Sequence, residues 1–469
     1  MKQQFHGKGN GGVNEGYRGD EWEEFFEFDG TKLQQFPLPA GPAPVGLAER
    51  LDGLAAGYAE QQPSAVAGRA APTRVVLDAA RVEAERLFAE MVASQEELDW
   101  ECLHLYGLTE ERLTVPEGLE APPLKLGERA FDIVLARKLA AGAVETAWFS
   151  RHRSTPITEL PTHWPEWYRD LVDRRIALIE SDRDVGLVER PEHKRRWARE
   201  PWEKLEKRAL REWLADRLED RRLWFEGAGD QERAVCRSVA QLADKVIALD
   251  PDFLEVARVW KGAVEVDHVS VVAELVADEH VPAQSAARYK GKGFDKRRVW
   301  ERTWDLQRME DRGEPLPDGL ERIPVPPKYG STDFAKASYW KQRGKLDVPK
   351  ERFTSIWGAE READPTLVLA WAGFDYAEMA QAIGSLVVER QQTDGWDPDQ
   401  VWPLVVGLIE LLPWLDQWHA EVDPRWGQSP AQLYRQIAEQ QALAGGRTLA
   451  DASDWRPPAA TGRKKKVGS

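Results

Sequence analysis

The chain has 469 residues, a hydrophobic fraction of 42% and a net charge of −16, which is enough for two or three globular domains and argues against disorder. With only two cysteines, a disulfide framework and a cysteine-based zinc site are excluded. No segment holds 18 uncharged apolar residues and no signal-peptide core opens the sequence, so we expect a soluble, cytoplasmic protein without membrane contact.

The first residues contain a glycine-rich stretch, FHGKGNGGVNEG, at positions 5–16. Its spelling resembles the glycine loop with which DNA methyltransferases hold S-adenosylmethionine. Such a loop needs a buried strand before it and a helix start after it. Only four residues precede Phe5 and no apolar helix follows Gly16, so we interpret the stretch as a flexible or phosphate-touching loop.

The next segment is extended in character. An aromatic, strand-like run begins at Trp22, turns at Asp29-Gly30 and continues as a Pro-broken piece to Pro39. Residues 40–73 are rich in Ala, Pro and Gly and predict a linker with one short helix near 46–60.

A long amphipathic helix is predicted from Arg74 to Tyr106, because apolar residues recur there at helical spacing. Gly107 is placed to end it. Helical periodicity then dominates from 128 to about 279, and an apolar helix near 401–412 is expected to kink at Pro413.

The fold class is therefore mainly α: a helical, multi-domain chain with a small strand-containing N-terminal piece. Linkers and composition predict the following segments: 1–113, the N-terminal piece with the long helix; 128–325, a helical domain with a basic segment; 339–446, a C-terminal helical domain; and 447–469, a flexible basic tail.

Residues for several chemistries are missing. Adenine methylation uses Asn or Asp followed by Pro-Pro and an aromatic residue. Asn occurs only at positions 10 and 14, and the three Pro-Pro pairs lack both flanking residues. Glu192 and His193, behind Asp182 and Asp184, faintly resemble a nuclease carboxylate set, although charged residues around a turn explain them as well. We predict no catalytic, cofactor-binding or metal-binding residue.

A local excess of positive charge is the strongest functional signal. Residues 288–352 carry 17 Lys or Arg against 11 Asp or Glu, a net charge of +6 that leaves −22 for the rest of the chain. Within it, RYKGKGFDKRRVWERTW (288–304) interleaves basic residues with aromatic ones, a pattern typical of nucleic-acid binding. Packing of Trp300 and Trp304 into a core is the alternative.

A second basic cluster follows Pro191. From both clusters we predict eight phosphate-contacting residues: Lys194, Arg195, Arg196, Lys290, Lys292, Lys296, Arg297 and Arg298.

Three longer stretches carry a family resemblance. Residues 94–113 resemble the helix that closes the recognition region of type IIG-like adenine DNA methylases. Residues 146–203, together with YKGKGFDKRRVWERTWDLQRMEDRGE (289–314), resemble the PglX family, the adenine-specific DNA methyltransferases of phage-growth-limitation and type 2 BREX defence systems.

The resemblance implies methyl transfer from S-adenosylmethionine to adenine in double-stranded DNA. The catalytic motifs are absent, so the chain is interpreted as the C-terminal portion of such an enzyme, the end of the target-recognition domain plus helical domains. It would act with a separately encoded catalytic half or other defence-system proteins. Two alternatives stay open: a non-enzymatic protein-interaction scaffold, and an inactive truncated remnant.

Overall fold

A computed structural model of the chain describes residues 30–39, 41–194, 197, 199–424 and 427–458, without the side chains of Lys32 and Asp230. The fold is mainly α, as predicted, with two small sheets in the described ranges. The chain divides into two compact units, the first ending at Ala209 and the second beginning at Leu210. This division is coarser than the predicted segments, whose boundaries stay predictions.

The described part of the first unit consists of helices joined by turns and loops. Its α-helices are α1 (Gly30–Gln34), α2 (Val45–Glu60), α3 (Pro63–Arg69), α4 (Arg74–Leu105), α5 (Ala130–Ala140), α6 (Trp148–His152), α7 (Glu166–Ser181), α8 (Arg183–Val188) and the first half of α9 (Trp202–Arg217). A 3-10 turn lies at Pro191–His193.

Helix α4 ends as its sequence predicts. Gly107 has a φ of +70°, a conformation that glycine adopts without strain. Its N–H donates to the His104 carbonyl, and the Leu108 N–H donates to the Leu103 carbonyl. These two hydrogen bonds form a Schellman motif, which satisfies carbonyl groups that the last helical turn leaves free.

The core of the first unit lies between α4, α5 and α7. Large side chains from each helix are fully buried there, among them Trp100, Phe131 and Tyr168. A charged group is buried with them: Arg175 donates to the Glu97 carboxylate at 2.8 Å and is 0% exposed.

The second unit combines helices with both sheets. Its α-helices after α9 are α10 (Arg221–Trp224), α11 (Val239–Leu249), α12 (Asp252–Lys261), α13 (His268–Val276), α14 (Ser285–Arg288), α15 (Gly291–Asp311), α16 (Ala337–Arg343), α17 (Tyr376–Gln392), α18 (Pro398–Ile409), α19 (Leu412–Trp418) and α20 (Pro430–Ala444). Short 3-10 turns are Gly229–Gln231, Ser331–Asp333, Gly344–Leu346 and Leu449–Asp454.

The strands are short. They are β1 (Phe225–Glu226), β2 (Arg233–Ala234), β3 (Arg237–Ser238), β4 (His280–Pro282), β5 (Phe353–Ser355) and β6 (Val368–Trp371). β1 and β2 form an antiparallel ribbon. The other four form a sheet in the order β3-β6-β5-β4, in which only β4 and β5 run parallel.

Three local predictions differ from the structure. The strand-like run from Trp22 lies mostly outside the described residues, and its continuation at Gly30–Gln34 is a helix. The stretch predicted as helical between 128 and 279 includes β1, β2 and β3, and these two-residue strands are too short to show a period. The apolar helix near 401–412 breaks before Pro413: α18 ends at Ile409, and Pro413 sits in the first turn of α19, where its missing N–H costs nothing.

Candidate nucleic-acid interface

In the basic cluster that follows Pro191, the side chain of Lys194 points into the protein. Its Nζ lies 2.5 Å from a Glu189 carboxylate oxygen and 3.0 Å from one of Asp99, and its side chain is 2% exposed. Burial lowers the pKa of Lys194, but the charges of Glu189 and Asp99 outweigh it, so that the pKa is raised overall. An ammonium group enclosed in this way does not face solvent, and the structure corrects its assignment as a phosphate contact.

Of the other basic residues of that cluster, the structure describes Arg199. Arg195 and Arg196 lie outside the described residues. The neighbouring Arg199 places its guanidinium 4.0 Å from the centre of the Phe88 ring and 3.8 Å from the Glu85 carboxylate. The described part of the cluster is therefore neutralised within the first unit.

The basic cluster of residues 288–304 lies at the start of α15. The Lys290 N–H donates to the Asp333 carbonyl at 2.8 Å, which joins this start to the 3-10 turn Ser331–Asp333. Gly293 makes the close approach possible, because a Cβ at this position would lie 2.3 Å from the same carbonyl oxygen. The glycine in the Gly-Lys-Gly motif thus serves packing.

Lys290 and Lys292 are both exposed at this helix start. Helix α15 has no side-chain cap and no acidic residue in its first turn. The N-terminus of a helix carries a partial positive charge, so two lysines there repel it and favour an anion. Among the described residues, neither lysine forms an ion pair. These two ammonium groups are the cluster's available positive charges.

The next three predicted residues differ in exposure. Lys296 is half-buried and donates to the Asp333 carboxylate at 2.7 Å and to the Lys328 carbonyl at 3.0 Å. Arg297 pairs with Glu301 at 3.0 Å and its side chain is 17% exposed. Arg298 is 50% exposed, with an Asp454 carboxylate 3.7 Å away. Arg298 is therefore the exposed member of the three.

Burial of Asp333 opposes its ionisation, but the Lys296 hydrogen bond and nearby lysines lower its pKa. The Asp333 carboxylate therefore stays ionised and forms a charged hydrogen bond with Lys296. An exposed ion pair of the Arg298–Asp454 kind contributes little free energy, so Asp454 does not fix Arg298, whereas Lys296 is held in place.

Two further exposed lysines lie near the start of α15 and escape prediction from sequence. Lys328 follows the Pro-rich loop, and its carbonyl accepts from Lys296. Lys336 follows the bridge that pairs Tyr289 with Phe334. Contacts between residues distant in sequence bring these lysines toward residue 290, so a local sequence pattern does not predict them.

The aromatic residues of the cluster form a small core. The Tyr289 and Tyr329 rings stack with centroids 5.1 Å apart at 9°, and Trp300 stacks on Tyr329 at 6.4 Å and 11°. The Trp300 Nε1–H donates to the Pro327 carbonyl at 2.8 Å. Trp304 packs its ring against Trp414 with centroids 5.4 Å apart. The packing alternative holds for Trp300, whereas Trp304 is 37% exposed beside Trp414.

A buried ionic network fixes the chain just before Lys290. Arg288 donates to the Pro282 and Ala283 carbonyls at 2.9 and 3.1 Å, and its Nη1 lies 3.4 Å from the Asp347 carboxylate. The Tyr289 hydroxyl donates to the same carboxylate. Since the residues before Lys290 are held by the core, its position does not depend on a bound ligand.

The described residues do not fit S-adenosylmethionine. In α/β sheets, nucleotide-like cofactors bind beyond the carboxyl ends of parallel strands, at a helix N-terminus. After β4, this place holds Glu410, whose carboxylate accepts from the Ser285 N–H at 3.0 and 3.1 Å and from its hydroxyl at 2.9 Å. The glycine-rich stretch 5–16 lies outside the described residues. We derive no methyl-transfer step from this chain.

Two other features can be stated for the described ranges. None of their helices combines the length and apolar character needed to cross a bilayer. They also bring no three His, Cys, Asp or Glu side chains together as a metal-binding group. Asp182 instead caps α8, accepting from the Asp184 and Val185 N–H groups at 2.9 Å.

Comparison with known proteins gives two matches. The model of a family described as a domain of unknown function, DUF7008, matches residues 91–466. The adenine-specific methyltransferase PglX of Streptomyces coelicolor is 47% identical over 450 residues. This alignment covers 95% of the chain but 36% of the relative, so the chain spans about a third of that protein's length. No solved structure matches. The predicted resemblance to PglX is confirmed.

Proposed function

The chain belongs to the family described as domain of unknown function DUF7008, and on this basis, with its similarity to PglX, we propose that it is the DNA-recognition and accessory part of an adenine-specific DNA methyltransferase. The proposal of DNA binding rests on the residues at the start of α15. There, exposed Lys290 and Lys292 lack ion pairs among the described residues.

The proposed contact surface is smaller than the predicted set. It consists of Lys290, Lys292 and Arg298, joined by Lys328 and Lys336. Lys296 and Arg297 are left out of it, because they form ion pairs with Asp333 and Glu301. Contacts of this kind neutralise phosphates and set the position of a protein on duplex DNA without reading the sequence.

In this proposal, the residues that catalyse methyl transfer are not on this chain. The chain is the C-terminal portion of the enzyme, and S-adenosylmethionine and the adenine-binding residues lie in a catalytic half outside it. The biological setting is bacterial anti-phage defence in the cytoplasm, where methylation marks self DNA. Support for this setting is the similarity to PglX.

The direct test is the affinity of the 469-residue chain for a short duplex of mixed sequence between about 50 and 200 mM NaCl. Each phosphate contact contributes about −0.9 to the slope of log K against log salt, so Lys290, Lys292 and Arg298 together predict a slope of about −3 or steeper. No binding at low salt, or binding that does not respond to salt, would overturn the proposal.

A second candidate, a protein-interaction scaffold of the defence system, is favoured by the charge of −22 outside residues 288–352. Charge reversal by Lys290→Glu and Lys292→Glu separates the two. A DNA-binding part loses duplex affinity, whereas a scaffold keeps its protein partner. The matched control is Lys138→Glu with Lys207→Glu, two exposed lysines of the first unit.

A further inference from the structure

A cavity of about 250 Å³ lies in the first unit, between α2, α4 and the loop of residues 112–121. One side of it is a stripe on α4, where helical spacing places Glu90, Ser94, Glu97 and Glu101 on the same face of the helix. The loop and α2 form the other sides. All the lining residues belong to the first unit, whereas the proposed DNA contacts belong to the second.

Ser94 presents its hydroxyl to this cavity. The residue is 6% exposed, and its hydroxyl makes no hydrogen bond within the part of the chain that the structure describes. A serine in a helix is able to donate to the carbonyl four residues earlier, which here is that of Glu90, and Ser94 does not do so. Buried polar groups in native proteins are nearly always paired, because an unpaired one costs free energy. The hydroxyl therefore points to a polar ligand in the cavity.

The charges around the cavity favour a cation as this ligand. Five glutamates and two arginines line it, which gives a net charge of −3. Both arginines already have partners: Arg112 donates to the Glu101 carboxylate at 2.7 Å, and Arg50 lies 4.0 Å from the Glu120 carboxylate. The exposed Glu117 forms no ion pair among the described residues. Its negative charge is thus available to a ligand, as is the Ser94 hydroxyl oxygen.

The arrangement suits an organic cation better than a metal ion. Metal ligands converge on one point, and the described residues bring no three His, Cys, Asp or Glu side chains together in this way. The acidic stripe instead runs from Glu90 to Glu101, which is roughly 16 Å along a helix. Leu47, Val115 and Leu119 add apolar surface to the same cavity. A linear molecule with cationic groups separated by methylene groups matches both features.

We propose that this cavity binds a polyamine, a linear aliphatic molecule with an ammonium group at each end. One ammonium group donates to the Ser94 hydroxyl beside the Glu97 carboxylate. The methylene groups lie against Leu47 and Leu119, and the second ammonium group is attracted by Glu117. This inference goes beyond the proposed DNA binding and does not depend on it.

The test is isothermal titration calorimetry of the 469-residue chain with spermidine, in the absence of DNA. We expect one binding site per chain. Ser94→Ala removes a hydrogen bond to a charged group and should weaken binding about tenfold. Glu117→Gln removes one exposed charge and should weaken binding about threefold. The matched control is Glu110→Gln, at an exposed glutamate that does not line the cavity, and it should keep the affinity of the unchanged chain.

Three results would overturn the inference. The first is no binding of spermidine to the unchanged chain. The second is an affinity that Ser94→Ala leaves unchanged, or that Glu110→Gln lowers as much as Glu117→Gln, as expected if spermidine is attracted only by the net charge of −16. The third is binding of MgCl₂ with the same dependence on Ser94, which would make the site one for a metal ion.

The test distinguishes a lost site from a lost fold and from the proposed function. Glu117 and Glu110 are exposed, so their substitution leaves the core in place, and circular dichroism shows whether Ser94→Ala keeps the helical content. Because the titration contains no DNA, a failure of spermidine binding leaves the proposed DNA contacts of α15 standing. Loss of DNA binding would equally leave the polyamine site standing.

Discussion

Two basic clusters of similar sequence have opposite environments. After Pro191, Lys194 is enclosed by Glu189 and Asp99, with 2% of its side chain exposed. At the start of α15, Lys290 and Lys292 are exposed and the helix has no side-chain cap. The two clusters differ in the residues that the fold places beside them. Asp99, on α4, is 95 residues from Lys194, whereas the backbone carbonyl of Asp333 meets Lys290 and its carboxylate engages Lys296.

A run of Lys and Arg therefore predicts either an interior ion pair or a surface for polyanions. Burial of a charge requires a partner, and the partner is set by tertiary structure. The two environments predict different responses to substitution: loss of stability for the enclosed cations, and loss of DNA affinity for the exposed ones.

The largest effect is expected at Lys194. In Lys194→Ala, Glu189 is left buried and without its partner, at a cost of about 3–5 kcal/mol in the free energy of unfolding. Chemical denaturation of the variant and of the unchanged chain measures this difference. Lys292→Ala is the matched control and should change stability by less than about 0.5 kcal/mol. Equal stabilities of the Lys194 variant and the unchanged chain would contradict the enclosed ion pair.

A buried histidine in the second unit predicts that the stability of the fold depends on pH. His280 is buried in β4, with Nδ1 2.9 Å from the Ser355 hydroxyl, and burial, with Lys336 nearby, lowers its pKa to about 4. The unfolded chain takes up this proton near pH 6.5 and the folded chain does not. The stability it contributes is therefore present above pH 6.5 and is lost as pH falls toward 4.

Between these limits, the lowered pKa of His280 changes the free energy of unfolding by about 3 kcal/mol. His280→Gln removes this contribution and keeps the other titrating groups. Denaturation at pH 7 and pH 4 should show a smaller fall in stability for the variant than for the unchanged chain. If both fall equally, His280 is not held neutral in the fold.

Arg297 and Arg298 allow an enclosed cation and an exposed cation to be compared at neighbouring positions of α15. Arg297 is largely enclosed, and its charge opposes the burial that raises the pKa of Glu410. Arg297→Gln should lower the free energy of unfolding by about 1–3 kcal/mol and leave the salt slope of DNA binding unchanged. Arg298→Gln should leave stability nearly unchanged and make the slope shallower by about 0.9. The reverse pattern would exchange their assigned roles.

Much of the fold was predictable from local signals. The start of α4 at Arg74 and its end before Gly107 follow from apolar spacing and from a glycine that adopts positive φ. α18 follows Asp397, whose side chain accepts from two N–H groups of the first turn. The strands of the sheet β3-β6-β5-β4 have two to four residues each, and such strands form through pairing with distant partners, which no local period records.

The sequence indicates the segment of the candidate site, but it does not indicate which basic residues of that segment are exposed. The excess of positive charge in residues 288–352 points to the segment that contains α15, and its role in DNA binding stays a prediction. The enclosure of Lys194 by Asp99 and of Arg297 by Glu301 and Glu410 depends on side-chain packing. The addition of Lys328 depends on a loop that returns to α15 through Lys296. Charge patterning gives the number of cations in a segment, and only the fold tells which of them face solvent.

The central claim is that Lys290 and Lys292 contact phosphates, and the salt dependence of DNA binding tests it most directly. Lys290→Gln with Lys292→Gln is compared with the unchanged chain and with the control Lys138→Gln, Lys207→Gln on the same duplex. The account predicts a slope of log K against log salt that is shallower by about 2 in the first variant and unchanged in the control. A first variant with the slope of the unchanged chain would contradict it.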